Sequence, residues 1–184
     1  DGTGELLIAL ALLLSITSTS ARSIVLLGVV CIAMVANRPP DAFIAGAFAL
    51  YTIWNCWRNA VWLLVGAVVP LAALLYYNLN FIGNIFGGYV LINPSNIFFQ
   101  SDWSGVLGLL VSPTRGLFVF SPFLAFVPVG LIQRLRAPST KILAALLSLA
   151  VVAQILVYSQ LDWRAGVSWG PRWLTDILPV LVWM

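Results

Sequence analysis

The sequence predicts an all-α membrane protein: a polytopic bundle of about seven transmembrane spans or half-spans, with two ordered extracytoplasmic loops. Of its 184 residues, 61% are hydrophobic and only 8% are charged, whereas a soluble domain usually has about 25% charged residues. Apolar runs follow one another with short polar turns between them, and no repeat of fixed period or low-complexity tract divides the chain. Residues 1–184 are therefore predicted to form a single membrane domain.

The two ends of the sequence suggest a fragment of a longer protein. Asp1 opens the chain without a methionine, and Met184 ends it inside the apolar run Ile177–Met184. Asp1 and Glu5 precede the first apolar run, where a signal peptide would carry basic residues, so no signal peptide is expected.

The cysteine and histidine content argues against two kinds of site. Cys31 and Cys56 lie within or at the end of apolar runs, and the chain has no histidine. This excludes a disulfide framework and argues against a Cys/His metal site. No cofactor is predicted, and whether a divalent metal is required stays open.

The first four apolar runs are Leu6–Ile16, Ser23–Ala36, Ala42–Trp54 and Ala60–Tyr77. Several are shorter than the roughly 20 residues that a perpendicular span needs. We interpret them as short helices whose polar ends are buried against neighbours, with re-entrant segments as the alternative. Pro70 should kink the fourth helix without ending it, because apolar sequence continues on both sides.

The second half of the chain alternates between irregular loops and apolar runs. Asparagines, glycines and aromatic residues between Asn78 and Ser104 show no helical or strand period, which predicts an ordered loop at the membrane interface. The elements expected after it are a short helix at Val106–Val111, spans at Leu117–Leu131 and Ile142–Tyr158, a tryptophan-rich loop at Ser159–Trp173, and a helix from Leu174.

One polar motif interrupts the apolar sequence at residues 112–122. Pro113 removes a backbone donor and Gly116 loosens the backbone, so the helix should break where Arg115 lies. Because broken backbone at membrane depth must face protein or water, we expect Arg115 to line a polar pocket.

The charged residues give an orientation. The basic turn from Arg134 to Lys141 marks the cytoplasmic side, and counting spans from it places Arg22 and Arg58 on that side as well. The same count places the following residues outside: Arg38, Arg115, Arg164, Arg172, Asp1, Glu5, Asp41, Asp102, Asp162 and Asp176. Guanidinium groups bind phosphate or carboxylate in two-point contacts. Each outer arginine could instead pair with a neighbouring aspartate and fix a loop.

Three segments resemble bacterial integral-membrane glycosyltransferases of the GT-C superfamily, in particular the family 39 and protein-mannosyltransferase-like members. The segments are Tyr77–Gly83 with Gly87–Tyr89, then Gly105–Pro122, then Asp162–Asp176. The resemblance covers roughly residues 37–184 and implies a multi-span enzyme that transfers a sugar from a polyprenyl-phosphate carrier on the extracytoplasmic face. The catalytic base of that family lies in its first outer loop, which is expected upstream of Asp1, so the catalytic residue is unknown here.

The residues expected to bind this donor fall into groups by their chemistry. Phosphate contacts are assigned to Arg115, Arg164 and Arg172, and sugar contacts to Tyr89, Asn78, Trp163 and Trp169. Asp162 and Asp176 are also expected to bind substrate. The tryptophans could instead belong to an interfacial aromatic belt. The expected partners are membrane lipids and the polyprenyl-phosphate sugar donor, with no nucleic acid.

Two further expectations concern alternatives and the last loop. A secondary transporter or a non-catalytic lipid-binding membrane protein is the alternative to a transferase of the bacterial cytoplasmic membrane.

The loop Asp162–Asp176 should fold back over the Arg115 motif, with Pro171 in the first turn of the final helix. Arg172 would then lie at that helix N-terminus, either near a phosphate or paired with Asp176 four residues later.

Overall fold

A computed structural model describes residues 2–17, 20–85, 104–160 and 170–184. Every regular element within these ranges is helical, which confirms the all-α prediction. The helices are α1 Gly2–Thr17, α2 Ala21–Asn37, α3 Ala42–Asn55, α4 Val61–Tyr77, α5 Ser104–Val111, α6 Leu117–Phe120, α7 Val127–Arg136, α8 Lys141–Gln160 and α9 Leu178–Trp183.

Short polar segments connect the first four helices. The Ser20 side chain caps α2 by accepting the Ser23 N–H at 3.3 Å, as hydroxyl side chains commonly do at helix starts. Residues Pro39–Asp41 form one 3₁₀ turn between α2 and α3, and Trp57–Asn59 form another between α3 and α4. Because proline lacks an N–H, Pro39 and Pro40 end α2 and are tolerated in the first turn that follows.

Within the described ranges, two helical stretches are long and apolar enough to cross a membrane, Trp57–Ile82 and Lys141–Gln160. The first runs through Pro70, as predicted, and continues past α4 as the π-helical turn Asn78–Ile82. The loop predicted from Asn78 therefore begins with helix, and its residues 86–103 lie outside the described ranges. Helices α1 to α3 have 16, 17 and 14 residues, about 21–26 Å at 1.5 Å per residue.

Two predicted elements in the second half are corrected. The predicted span Leu117–Leu131 is divided into α6, the 3₁₀ turn Pro122–Phe126 and α7, because Pro122 cannot donate the backbone hydrogen bond that would continue α6. The final helix begins at Leu178 and not at Leu174, with Pro179 in its first turn. Pro171 therefore lies before the helix, and Arg172 is six residues from its start.

Glycines allow the closest approach between helices. A Cβ at Gly28 would overlap the Leu63 carbonyl oxygen, and a Cβ at Gly66 would overlap the Val25 carbonyl oxygen. Helices α2 and α4 are therefore in backbone contact on both sides of their crossing. Contacts of this kind through small residues are typical of helices that associate in membranes.

The helix directions place the charged turn Arg38–Asp41 at one end of the bundle. The end of α1, the start of α2 and the end of α3 together line one cavity of about 110 Å³. Helices α1, α2 and α3 therefore alternate in direction. The turn between α2 and α3 therefore lies at the opposite end. Helix α8 packs against α3, and its last two turns reach that same end, where Gln154 contacts Asp41.

Candidate functional site

A buried polar cluster lies at this end of the bundle, and we call it the Arg38 cluster: Arg38, Asp41, Gln154, Tyr158, Trp173 and Asp176. The Nη1 atom of Arg38 is 2.9 Å from Asp176 Oδ2 and also donates to the Arg172 carbonyl oxygen at 2.9 Å. The Asp176 side chain is completely buried, whereas 12% of the Arg38 side chain is exposed. Arg38 therefore ties the α2–α3 turn to the segment that precedes α9.

The second carboxylate of the cluster is held by an amide. Gln154 Nε2 donates to Asp41 Oδ1 at 2.8 Å, and both side chains are fully buried. Asp41 Oδ2 and Gln154 Oε1 have no hydrogen-bond partner, and neither does Asp176 Oδ1. Buried polar atoms are paired in the great majority of cases, so this end of the bundle carries an unusual concentration of unpaired acceptors.

Burial raises the pKa of both carboxyls, because it disfavours the charged form. The pKa of Asp41 is raised to about 6 by burial first and by the nearby Asp176 charge second, while Gln154 and Arg38 act in the opposite direction. Burial also raises the pKa of Asp176, although the Arg38 guanidinium favours its charged form.

Helix α1 closes one side of the cluster. A Cβ at Gly4 would lie 2.5 Å from Asp176 Oδ1 and 3.0 Å from Asn37 Nδ2, so the carboxylate rests directly on the first turn of α1. The free N–H groups and positive dipole end of a helix start favour a negative charge there. This contact adds to the Arg38 ion pair in placing Asp176.

Two aromatic rings of the cluster pack against each other. The Tyr158 and Trp173 rings lie 5.3 Å apart between centroids and are tilted by 48°, within the range of favourable aromatic pairs. Trp173 Nε1 is buried without a hydrogen-bond partner. The indole is thus an unpaired buried donor.

The Arg115 motif contacts the segment that carries Arg172. The Gly170 N–H donates to the Thr114 carbonyl at 3.0 Å, and the Phe120 ring lies against Gly170. Gly170 has a φ of 94°, a left-handed conformation that favours glycine. The described end of the last loop therefore lies against the motif, in the direction that the sequence predicted.

Five of the nine predicted donor-binding residues lie outside the described residues. Those outside are Tyr89, Asp162, Trp163, Arg164 and Trp169. Arg115 is half-buried and the Arg172 side chain is exposed, while Asn78 Nδ2 donates to the Ile85 carbonyl at 3.0 Å. The alternative in which Asp176 pairs with Arg172 is not seen, because Asp176 pairs with Arg38.

Arg38, Asp41, Gln154 and Tyr158 were not among the site residues expected from the sequence. Gln154 had a usable signal, since it is a lone amide inside the apolar sequence of α8. A polar side chain in such a helix generally faces the interior of a bundle and finds a polar partner there. Arg38 and Asp41 were predicted to lie on the same side as Asp176, and Arg38 does contact Asp176, but the partners of both residues are distant in sequence.

The cluster offers positive charge, buried carboxylates and an amide, which suit proton binding or the placement of an anionic ligand beside Arg38. Among residues 2–17, 20–85, 104–160 and 170–184, no group of three or more His, Cys, Asp or Glu side chains could hold a metal ion. No family model, curated protein or solved structure matches this chain.

Proposed function

We propose that this protein is an integral membrane glycosyltransferase, which moves a sugar from a polyprenyl-phosphate donor to an acceptor on the extracytoplasmic face of the bacterial cytoplasmic membrane. The contact between Thr114 and Gly170 carries the proposal. It joins the motif around Arg115 to the segment of Arg172, the two described segments whose arginines are expected to bind the donor phosphate.

The surface of the helical stretch Trp57–Ile82, which includes α4, supports a membrane location. Only 11% of its most apolar stretch is buried within the described structure, and Val68, Val69 and Phe81 are largely exposed. Exposed apolar surface of this extent is rare on soluble monomers. Lipid chains would cover it without any further protein partner.

The charges at the Arg38 end suit a donor with a phosphate head group. The Arg172 side chain is exposed, while its backbone carbonyl is held by Arg38. Arg115 lies one residue after Thr114, which contacts Gly170. Two guanidinium groups on joined segments could bind one phosphate, and arginine stays charged in a low-dielectric setting.

The experiment measures sugar transfer by the full-length protein in isolated membranes, with polyprenyl-phosphate mannose and polyprenyl-phosphate glucose as labelled donors. Arg115→Ala and Arg172→Ala should each lower transfer by roughly 10- to 100-fold, the range for losing a charged hydrogen bond. Arg172→Ala keeps the backbone carbonyl that Arg38 contacts, so it tests the side chain alone. Arg58→Ala, an exposed arginine at the opposite end, is the matched control.

Normal transfer by both variants would contradict the proposal.

The second candidate is an ion-coupled transporter, which the buried carboxylates Asp41 and Asp176 favour, because ionisable groups inside a helix bundle often mark ion pathways. The same assay separates the two. A transferase releases polyprenyl phosphate from the donor, whereas a transporter leaves both donors chemically unchanged.

A further inference from the structure

The contact between Asp41 and Gln154 leaves two oxygen atoms unpaired in a fully buried place. Gln154 Nε2 donates to Asp41 Oδ1 at 2.8 Å, whereas Asp41 Oδ2 and Gln154 Oε1 have no hydrogen-bond partner. Both side chains are fully buried, so bulk water does not replace the missing partners.

An ionised carboxylate cannot pair with the amide at both points. A carboxylate only accepts hydrogen bonds, and an amide carbonyl oxygen also only accepts them. A protonated carboxyl, in contrast, has one O–H donor and one acceptor oxygen, and a primary amide has the complementary N–H and C=O. One proton can therefore provide a partner for both unpaired oxygens.

We propose that Asp41 is a proton-binding site. Its carboxyl takes one proton from water at Oδ2, and the resulting O–H donates a hydrogen bond to Gln154 Oε1. The product is a two-point acid–amide pair that joins the α2–α3 turn to α8. The O–H bond forms at Oδ2 as one O–H bond of a hydronium ion breaks, and a water molecule is left in the solvent. This inference does not depend on the glycosyltransferase proposal.

The neighbouring charges favour Asp41 over Asp176 as the proton acceptor. Arg38 lies 2.9 Å from Asp176 Oδ2 and so stabilises the ionised form of that carboxyl. The other groups that face the pair are Tyr158 of α8, beside Asp41, and Glu5 of α1, whose charge acts on Asp176. Two buried carboxylates thus face one guanidinium, and neutralising Asp41 removes the repulsion between them.

A bound cation would also satisfy the two unpaired oxygens, but the positive charge of Arg38 acts on the same carboxyl. A proton is the smaller addition, since it needs no coordination shell. The two occupants differ in one observable, because a cation keeps Asp41 ionised whereas the proton makes it a carboxylic acid.

The test is infrared difference spectroscopy of the full-length protein in lipid nanodiscs during a pH titration. The wild-type protein should show the carbonyl band of a protonated carboxyl that disappears as the pH rises through about 6, above the usual aspartate value of about 3.9. Asp41→Asn should remove this band, because asparagine has the shape of the neutral acid but cannot titrate. Glu5→Gln, at a carboxyl on α1, is the matched control and should keep it.

Gln154→Leu provides a second measurement on a different residue. The Asp41 carboxyl should keep its proton in this variant, but its carbonyl band should move to higher frequency because the amide N–H no longer bonds to it. An unchanged band frequency in Gln154→Leu would refute the acid–amide pair. A band that survives Asp41→Asn, or a wild-type spectrum without the band below about pH 6, as a bound cation would give, would overturn the proton site.

Discussion

Arg38 and Asp176 form an ion pair at 2.9 Å between Nη1 and Oδ2, although one residue follows α2 and the other precedes α9. The same nitrogen donates to the Arg172 carbonyl. Because the Asp176 side chain is fully buried, its charge depends on Arg38 for compensation. This ion pair holds the segment before α9 against the turn between α2 and α3.

Arg38→Ala should destabilise the protein by about 3–5 kcal/mol, because it leaves a buried carboxylate without its cation. Thermal unfolding of the purified protein in detergent measures the change. Arg58→Ala, at an exposed arginine, should leave the unfolding temperature nearly unchanged. If the two variants unfold at the same temperature, Arg38 does not hold Asp176 in the way the geometry indicates.

A double variant separates the ion pair from the packing around it. Replacing both partners by apolar residues, as in Arg38→Met with Asp176→Leu, removes the uncompensated charge and should be more stable than Arg38→Ala alone. A double variant less stable than Arg38→Ala would mean that other contacts of these side chains dominate.

Gly66→Ala should weaken the packing of α2 against α4. A Cβ there would overlap the Val25 backbone, and overpacking of this kind typically costs about 1–3 kcal/mol. Gly46→Ala is the matched control, since a Cβ at Gly46 meets no atom within 4 Å and alanine favours helix over glycine. Unfolding in detergent should therefore show loss at position 66 and none at position 46. Equal behaviour would contradict the close crossing.

The stability of the protein should depend on the ionisation of Asp41. Its folded-state pKa is raised to about 6 from an ordinary 3.8, so the folded state binds this proton more tightly than the unfolded state does. The stabilisation is complete below the ordinary value and is lost as the pH rises through about 6. Asp41→Asn should flatten this part of the curve of unfolding temperature against pH. An unaltered slope would contradict a contribution of Asp41 to the pH dependence of stability. The raised pKa of Asp176 acts in the same direction.

The predicted orientation can be tested with the native cysteines. Cys56 is half-buried and lines the cavity at the end of the bundle opposite the Arg38 cluster, whereas Cys31 is buried. A membrane-impermeant thiol reagent should label Cys56 in inverted membrane vesicles and not in intact cells, because this end is predicted to be cytoplasmic. Cys56→Ser should abolish the labelling. Labelling of Cys56 from outside intact cells would reverse the topology.

The sequence by itself determined the helical class and the position of most apolar helices. The predicted run Ala42–Trp54 corresponds to the helix Ala42–Asn55, and the predicted span Ile142–Tyr158 corresponds to the helix Lys141–Gln160. These bounds follow from local properties, since apolar composition and the polar turn residues lie within the segments themselves. The seven-span count stays a prediction, with two described stretches long enough to cross a membrane.

Only the tertiary structure decided which charges meet. Local spacing offered Arg172 as the partner of Asp176, but packing brings Arg38 to that carboxylate and Gln154 to Asp41. The sequence could not reveal these pairs, because a buried charge is compensated by whichever group the packing of distant helices places beside it. That packing depends on close contacts such as Gly4 against Asp176, and no local pattern encodes them.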